Sequence, residues 1–427
     1  MTGLARKKGN RNSGEWWIAT LFATNEIPSV MVTFVALIML LQMGMGVSGS
    51  TMCIALLLLP WIGQPFMRRP AQVLGASRFW LHLTELLLTL VLMLFALTIR
   101  HGIWWTMFML FGISSLSAWH DLLARTYYMN RIGFEPVRIR IDSGFAHIRP
   151  VLRIFSTYMA TVLTYGLMIM AVGVLQIYFR QRPVSYSWSL GCYILAGTYM
   201  FLSLVNILLF RNHKMAGESK FEGTLHTHGV GTRGLDRVWQ SVMLTLLLMP
   251  QGLMFYSRTV FLLARPENGG LGCTLQDIGF AQGTIGVISF LFGITLGLAL
   301  QRKYGERNMR WPLTVCLGLS PLAYFMMTFL PPRGVWSLSV YTFIAQLLFG
   351  LGLNACRRIT ESISGERVLR GVNLLHIPVI SSCLLLSMVA SGIMLEHMSF
   401  SSFFLADALC APLAWLMVFI IESFRKQ

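Results

Sequence analysis

The sequence predicts an all-α integral membrane protein whose twelve spanning helices fall into two halves of six. Three observations carry that expectation. Hydrophobic residues make up 55% of the 427 positions and charged ones only 12%, and the mean hydropathy is +0.63. That composition leaves too little polar surface to cover a soluble domain. Apolar runs of about 20 residues, enough to cross a bilayer as helices, recur along the whole chain. The basic residues collect at alternate ends of those runs, as the positive-inside rule requires of a multi-pass protein.

Taken in order, residues 1–15 carry Arg6, Lys7, Lys8 and Arg11 and read as a cytoplasmic tail. The apolar run that follows continues straight into further spans, unlike a cleavable signal. Spans are expected at about 16–43, 50–67, 79–99, 103–128, 151–178 and 186–210 in a first half covering 16–210. A second half, 238–422, is expected to span at about 238–264, 278–301, 311–330, 335–356, 372–394 and 400–422, with a cytoplasmic tail at 423–427. Between the halves, 211–237 is polar and holds Gly217, Gly223, Gly229, Gly231 and Gly234, the composition of a flexible linker. With the N-terminus cytoplasmic, all but six of the 34 basic residues fall on that side; the exceptions are Arg100, Arg180, Arg182, Arg258, Arg265 and Arg333. The net charge of +17 is dispersed over loops rather than gathered in one domain, which argues against nucleic acid as a partner.

Polar residues inside spans are costly in lipid, so they mark cavities, helix contacts or function. In the fourth span Ser114, Ser117, Asp121, Arg125 and Tyr128 share one helical face. His120 and Asp121 form a candidate pair for proton relay or substrate binding. Asp121 and Arg125, four apart in the acid-first order, read equally as a structural ion pair that shapes an inner gate. In the first span Phe22, Glu26, Ser29 and Thr33 make a second stripe, loosened by Pro28. Glu26 has no basic residue within a turn and is expected in the cavity, the alternative being a neutral, hydrogen-bonded carboxyl near an interface. Asn25 and Tyr128 join them as candidate solute or coupling residues.

His82 and Glu85 read as snorkelling or inter-helix partners. Gln251 in the seventh span, and Gln346 and Asn354 in the tenth, are candidate cavity residues. Arg258 reads as an attractor of anionic solutes or as a surface anchor. Gly293 and Gly297 permit close helix approach. No cofactor or metal is expected. The seven cysteines show no CxxC and lie mostly in apolar runs, the 26 methionines form no run with Cys or His, and His226 and His228 sit in the central polar loop.

Six spans, a cytoplasmic loop and six more is the layout of the major facilitator superfamily, whose halves are repeats. Several stretches resemble its AmpG-like branch, the peptide–acetyl-coenzyme A–drug group that includes muropeptide permeases, and in particular relatives of the Bacteroidetes type. Asn25-Glu26-Ile27-Pro28 and Leu59-Pro60-Trp61-Ile62-Gly63-Gln64-Pro65 resemble its opening motifs, and His120-Asp121-Leu122 with Tyr127-Tyr128-Met129 resembles its fourth span. Gly269-Gly270-Leu271-Gly272, with Gly279-Phe280-Ala281-Gln282-Gly283-Thr284, is similar to its entry to the eighth span. Gly293, Gly297, Arg302, Gly305 and Arg307 look like the second-half gate motif, with Arg78, Arg125, Arg302 and Arg307 as latch residues. The pattern's acidic positions read Gln72, Arg125 and Gln251 here, while Glu26 is gained.

The resemblance implies a secondary active transporter, not an enzyme, that moves a peptidoglycan fragment or another amphiphilic sugar or peptide by alternating access. Glu26 and Asp121 would handle protons and solute, with His120 tuning Asp121. It implies a monomer in the bacterial inner membrane with both termini cytoplasmic and a lipid bilayer as its surroundings. The rival reading is a carrier fold that no longer transports and serves as a scaffold or subunit of a partner protein. A membrane transferase built on His120 and Asp121 finds no second catalytic constellation.

Overall fold

The computed structural model describes residues 16–74, 77–132, 148–211, 234–363 and 376–424. Eleven helices among them are long and apolar enough to span a membrane: α1 (Trp16–Gln42), α2 (Val47–Met67), α3 (Arg78–His101), α4 (Ile103–Tyr128), α5 (Val151–Tyr178), α6 (Val184–Phe210), α7 (Thr245–Leu263), α8 (Leu275–Tyr304), α9 (Trp311–Phe329), α10 (Val335–Leu353) and α11 (Ile380–His397). The twelfth span, α12, comes in two pieces, Phe400–Leu409 and Ala411–Phe424. Pro412 cannot donate to the carbonyl four residues back, and the break falls two residues before it. The expected linker lies mostly outside the described residues, as do the connections at 133–147 and 364–375.

The architecture is the twelve-helix, two-half arrangement that the sequence predicts. Twelve passes bring Trp16 and Phe424 to one side, called proximal below; the short connections after α1, α3, α5, α7, α9 and α11 lie at the distal side. Within the first half α1 packs on α4, α5 and α6, and α3 on α4 and α6; in the second, α10 packs on α8 and α9, α7 on α11, and α9 on α12. The halves meet where α2 lies against α11, α5 against α8, and the distal part of α1 against α7.

Lipid tails are as apolar as leucine, so burial alone does not hold such helices together; close approach and hydrogen bonds must. Both are present at the contacts between halves. A β-carbon on Gly283 of α8 would sit 2.4 Å from the Gly166 α-carbon on α5, and one on Gly392 of α11 would sit 1.9 Å from Thr51 Oγ1 on α2. Only glycine allows the backbones to approach this closely.

Three spans contain a wide, π-helical turn: Met31–Val35 in α1, Val162–Leu167 in α5 and Gly279–Gly286 in α8. Such turns take in extra residues and recur at functional sites. The turns of α5 and α8 face each other across the glycine contact. The turn of α1 has a visible effect. It carries Phe34, whose ring meets that of Phe255 on α7 with centroids 4.8 Å apart.

Candidate functional site

A half-buried stripe, the wall of an inferred cleft, runs up α1 from the proximal side and stops at an aromatic floor. Ala19, Ala23, Glu26, Ser29 and Thr33 are half-buried and share one face of a helix whose other residues between Trp17 and Val32 are, except for Thr20, buried. Beyond Phe34 the stripe ends: residues 35–40 are fully buried. On α7 Phe255 is the one half-buried residue between Pro250 and Leu262. Phe34 also packs on Tyr165 of α5, with centroids 5.0 Å apart. The Tyr165 hydroxyl donates to Gln282 Oε1 of α8, which also accepts from Thr259 at 3.2 Å. Phe34, Tyr165 and Phe255 therefore close the cleft toward the distal side, with one hydrogen bond joining the halves.

The first-half wall contains two polar clusters. Asp121 is the centre of one. Its Oδ1 accepts from Arg125 Nε and from Asn25 Nδ2, both at 2.8 Å, and its Oδ2 accepts from Gln64 Nε2 at 3.2 Å. Gln64 also donates to the Ala118 carbonyl at 3.1 Å. Three donors from α1, α2 and α4 thus converge on a nearly buried carboxyl group, the arrangement that makes a polar group tolerable there. Glu85 of α3 is the centre of the second. It accepts from Asn206 of α6 at 2.6 Å and Thr24 of α1 at 3.3 Å, and it pairs with His82 Nδ1 at 3.0 Å. Thr20 extends the chain to Asn206 at 3.0 Å.

His120 does not turn toward Asp121. Its Nδ1 lies 3.0 Å from the Thr84 hydroxyl on α3, and its Nε2 is buried without a partner. Residues adjacent in a helix point about 100° apart, so His120 faces α3 while Asp121 faces α1 and α2.

Glu26 differs from both carboxylates. It is half-buried on the cleft stripe and makes no hydrogen bond or ion pair with a described residue, although Asp121, Arg125 and Tyr158 lie within electrostatic reach. Tyr128 packs edge-on against Phe22 at 5.3 Å, and Arg153 stacks over Phe22 at 5.2 Å.

The remaining expected residues are dispersed. Gln251 donates to the Leu317 carbonyl of α9 at 2.8 Å. Pro321, four residues later, has no N–H for that carbonyl, so Gln251 satisfies a group that α9 itself cannot. Gln346 is buried on α10 beside Gly286. Gly293 packs onto α10, where its β-carbon would be 2.5 Å from the Leu347 carbonyl, and Gly297 is buried. Arg78 donates to the Phe210 carbonyl at 2.6 Å, tying α3 to α6. Arg302 is exposed at the proximal end of α8. The side chains of Asn354, Arg307 and Gln72 lie outside the described residues.

Arg258, a possible surface anchor on sequence grounds, is instead 5% exposed. At the distal end of α7 the Leu271 and Cys273 amides bond to the Phe261 and Leu262 carbonyls at 3.0 and 2.7 Å, folding the connection back onto the helix. Thr84, Asn206, Tyr165, Tyr324 and Thr342 escape a reading based on charge. Their only sequence signal is a polar residue in an apolar run.

No family model matches this sequence, and no curated protein matches it either. Solved structures do. The nucleoside transporter NupG superposes with a TM-score of 0.62 at 15% identity, covering 97% of this chain and all of that one. A bacterial homologue of the iron transporter ferroportin, in its inward-facing state, gives 0.63 at 13%, covering 97% and 99%. A D-xylose–proton symporter gives 0.54 at 15%, covering 93% and 96%. The chain is a multi-pass membrane protein with the major facilitator fold.

Proposed function

We propose that the protein is a secondary active carrier that moves an amphiphilic solute by alternating access, with protons as the coupling ion. The observation that carries this reading is Glu26: a carboxylate with no partner among the described residues, on a stripe accessible from one side only, in a helix otherwise packed on all faces. A carboxylate so placed is the group able to take up and release a proton or meet a polar solute as the cleft changes sides. Asp121, saturated by three donors, holds the wall together. The proximal side is the cytoplasmic side of a bacterial inner membrane, which the clustering of basic residues supports. Through the AmpG-like motifs, the cargo is a peptidoglycan fragment or a related sugar or peptide.

The test is uptake of a labelled muropeptide into proteoliposomes, with and without an inward proton gradient, for wild type and Glu26→Gln. Gradient-driven uptake lost in the variant is expected. Uptake indifferent to the gradient removes proton coupling, uptake preserved in the variant removes Glu26 from it, and no uptake under any gradient removes the muropeptide.

A further inference from the structure

Arg258 and its neighbours form a buried site that the carrier reading does not use. The guanidinium sits within α7, and both ion pairs formed among the described residues, His82–Glu85 and Asp121–Arg125, exclude it. It makes no hydrogen bond with a described residue, and its Nε is buried without a partner. The Phe255 ring lies 5.4 Å from the guanidinium carbon, and Tyr165, Tyr256 and Tyr324 lie within electrostatic reach. An unpaired cation at that depth is among the costliest groups a membrane protein can carry.

Three more buried polar atoms around it, Gln282 Nε2 on α8, the Tyr324 hydroxyl on α9 and the Thr342 hydroxyl on α10, form no hydrogen bond of good geometry, although Gln282, Thr342 and Gln346 lie close enough to Tyr324 to pair loosely with it. They converge. Arg258, Gln282 and Thr342 all lie within interaction range of Tyr324, and the bare backbone at Gly286 brings Thr342 and Gln346 against α8. The orientation of the Gln282 amide follows from its partners. Its oxygen already accepts from Tyr165 and Thr259, so the free end is the NH₂. The unused capacity of the cluster is therefore one guanidinium fork, one amide donor and two hydroxyls able to donate. That set matches an oxyanion. A single cation balances a single negative charge, which favours a monoanion over a phosphate dianion, and a planar carboxylate fits the guanidinium fork bidentately. The floor rings Phe34, Tyr165 and Phe255 lie beside it and offer an apolar surface to the rest of the solute.

We propose that Arg258, Gln282, Tyr324 and Thr342 form the seat for a carboxylate group of the solute, which must therefore be an organic anion with an apolar body. This rests on the carrier reading, and it gives the second half its own part in recognition, across the aromatic floor from Glu26.

The test uses the full-length protein in detergent and two probes of one shape, benzoate and benzamide, read by the thermal unfolding midpoint. Benzoate is expected to raise the midpoint of wild type saturably and benzamide to leave it unchanged. Arg258→Met should lose the response to benzoate and, relieved of an unpaired buried charge, unfold no lower than wild type. Equal responses to the two probes, a benzoate response that survives in Arg258→Met, or none in wild type overturns the proposal. If that variant does not fold, Gln282→Leu and Thr342→Val keep the charge; each should weaken the apparent benzoate affinity about tenfold, the scale of one hydrogen bond to a charged group, and unchanged affinity in both overturns it. Benzoate binding without muropeptide uptake would refute the muropeptide cargo and leave the seat, while uptake without benzoate binding would refute the seat alone.

Discussion

The contact between Gln251 and Leu317 allows a sharp test of how this fold manages proline in its helices. Pro321 leaves the Leu317 carbonyl without its helical donor, and Gln251 Nε2 supplies one at 2.8 Å. Gln251 is only 5% exposed, so water does not take its place. Gln251→Leu keeps the side chain's bulk and removes the donor, and the stranded carbonyl should cost about 1–3 kcal/mol, toward the lower end because bonds between membrane helices average about 0.6 kcal/mol. Pro321→Ala restores an N–H to α9, after which the carbonyl no longer needs Gln251. The double variant should therefore lie well off additivity, with a coupling of about 1–2 kcal/mol, whatever the sign of Pro321→Ala alone. The assay is reversible unfolding of the purified protein in mixed micelles for all four members of the cycle. If Gln251→Leu costs the same in both backgrounds, to within about 0.5 kcal/mol, Gln251 does not serve that carbonyl.

Glu85→Gln should be milder than Glu85→Ala by about 1–3 kcal/mol, because glutamine still accepts from Asn206 and Thr24 while alanine strands both; equal unfolding free energies would show that the cluster carries no weight. Gln64→Leu, which removes two bonds from a side chain 2% exposed, should destabilise more than Arg125→Gln, whose side chain is 34% exposed. The exposed pair is worth less than about 1 kcal/mol, so the reverse order in the same unfolding assay would refute the hub role of Gln64. Gly283→Ala should force α5 and α8 apart at their crossing. A cysteine introduced at Gln276 should then react faster with an impermeant maleimide, and an unchanged rate would mean that the glycine contact does not seal the distal side.

Most of the fold is legible in the sequence because bilayer thickness and charge sidedness constrain it from outside. Span limits follow from hydropathy to within a few residues, except at the start of α7, expected at 238 against Thr245, and of α11, expected at 372 against Ile380. The site is legible only where partners are local. Asp121 and Arg125 stand four apart and pair as expected, but the other donors to Asp121, Asn25 and Gln64, lie on different helices, and no spacing rule reaches them. His120 beside Asp121 suggests a pair; adjacency on a helix instead separates their directions. Glu85 and Asn206 are 121 positions apart, and each taken alone is one polar residue in an apolar run. Arg258 lies near a loop in sequence, and no local spacing reveals that the packed helices leave it only 5% exposed.

The wide turn at Met31–Val35 sets where α1 meets α7. Phe34 lies inside that turn and its ring comes within 4.8 Å of the Phe255 ring. Removing one residue from the turn would swing Phe34 about 100° round the helix and away from its partner, so the aromatic floor between the halves depends on the irregular backbone beneath it.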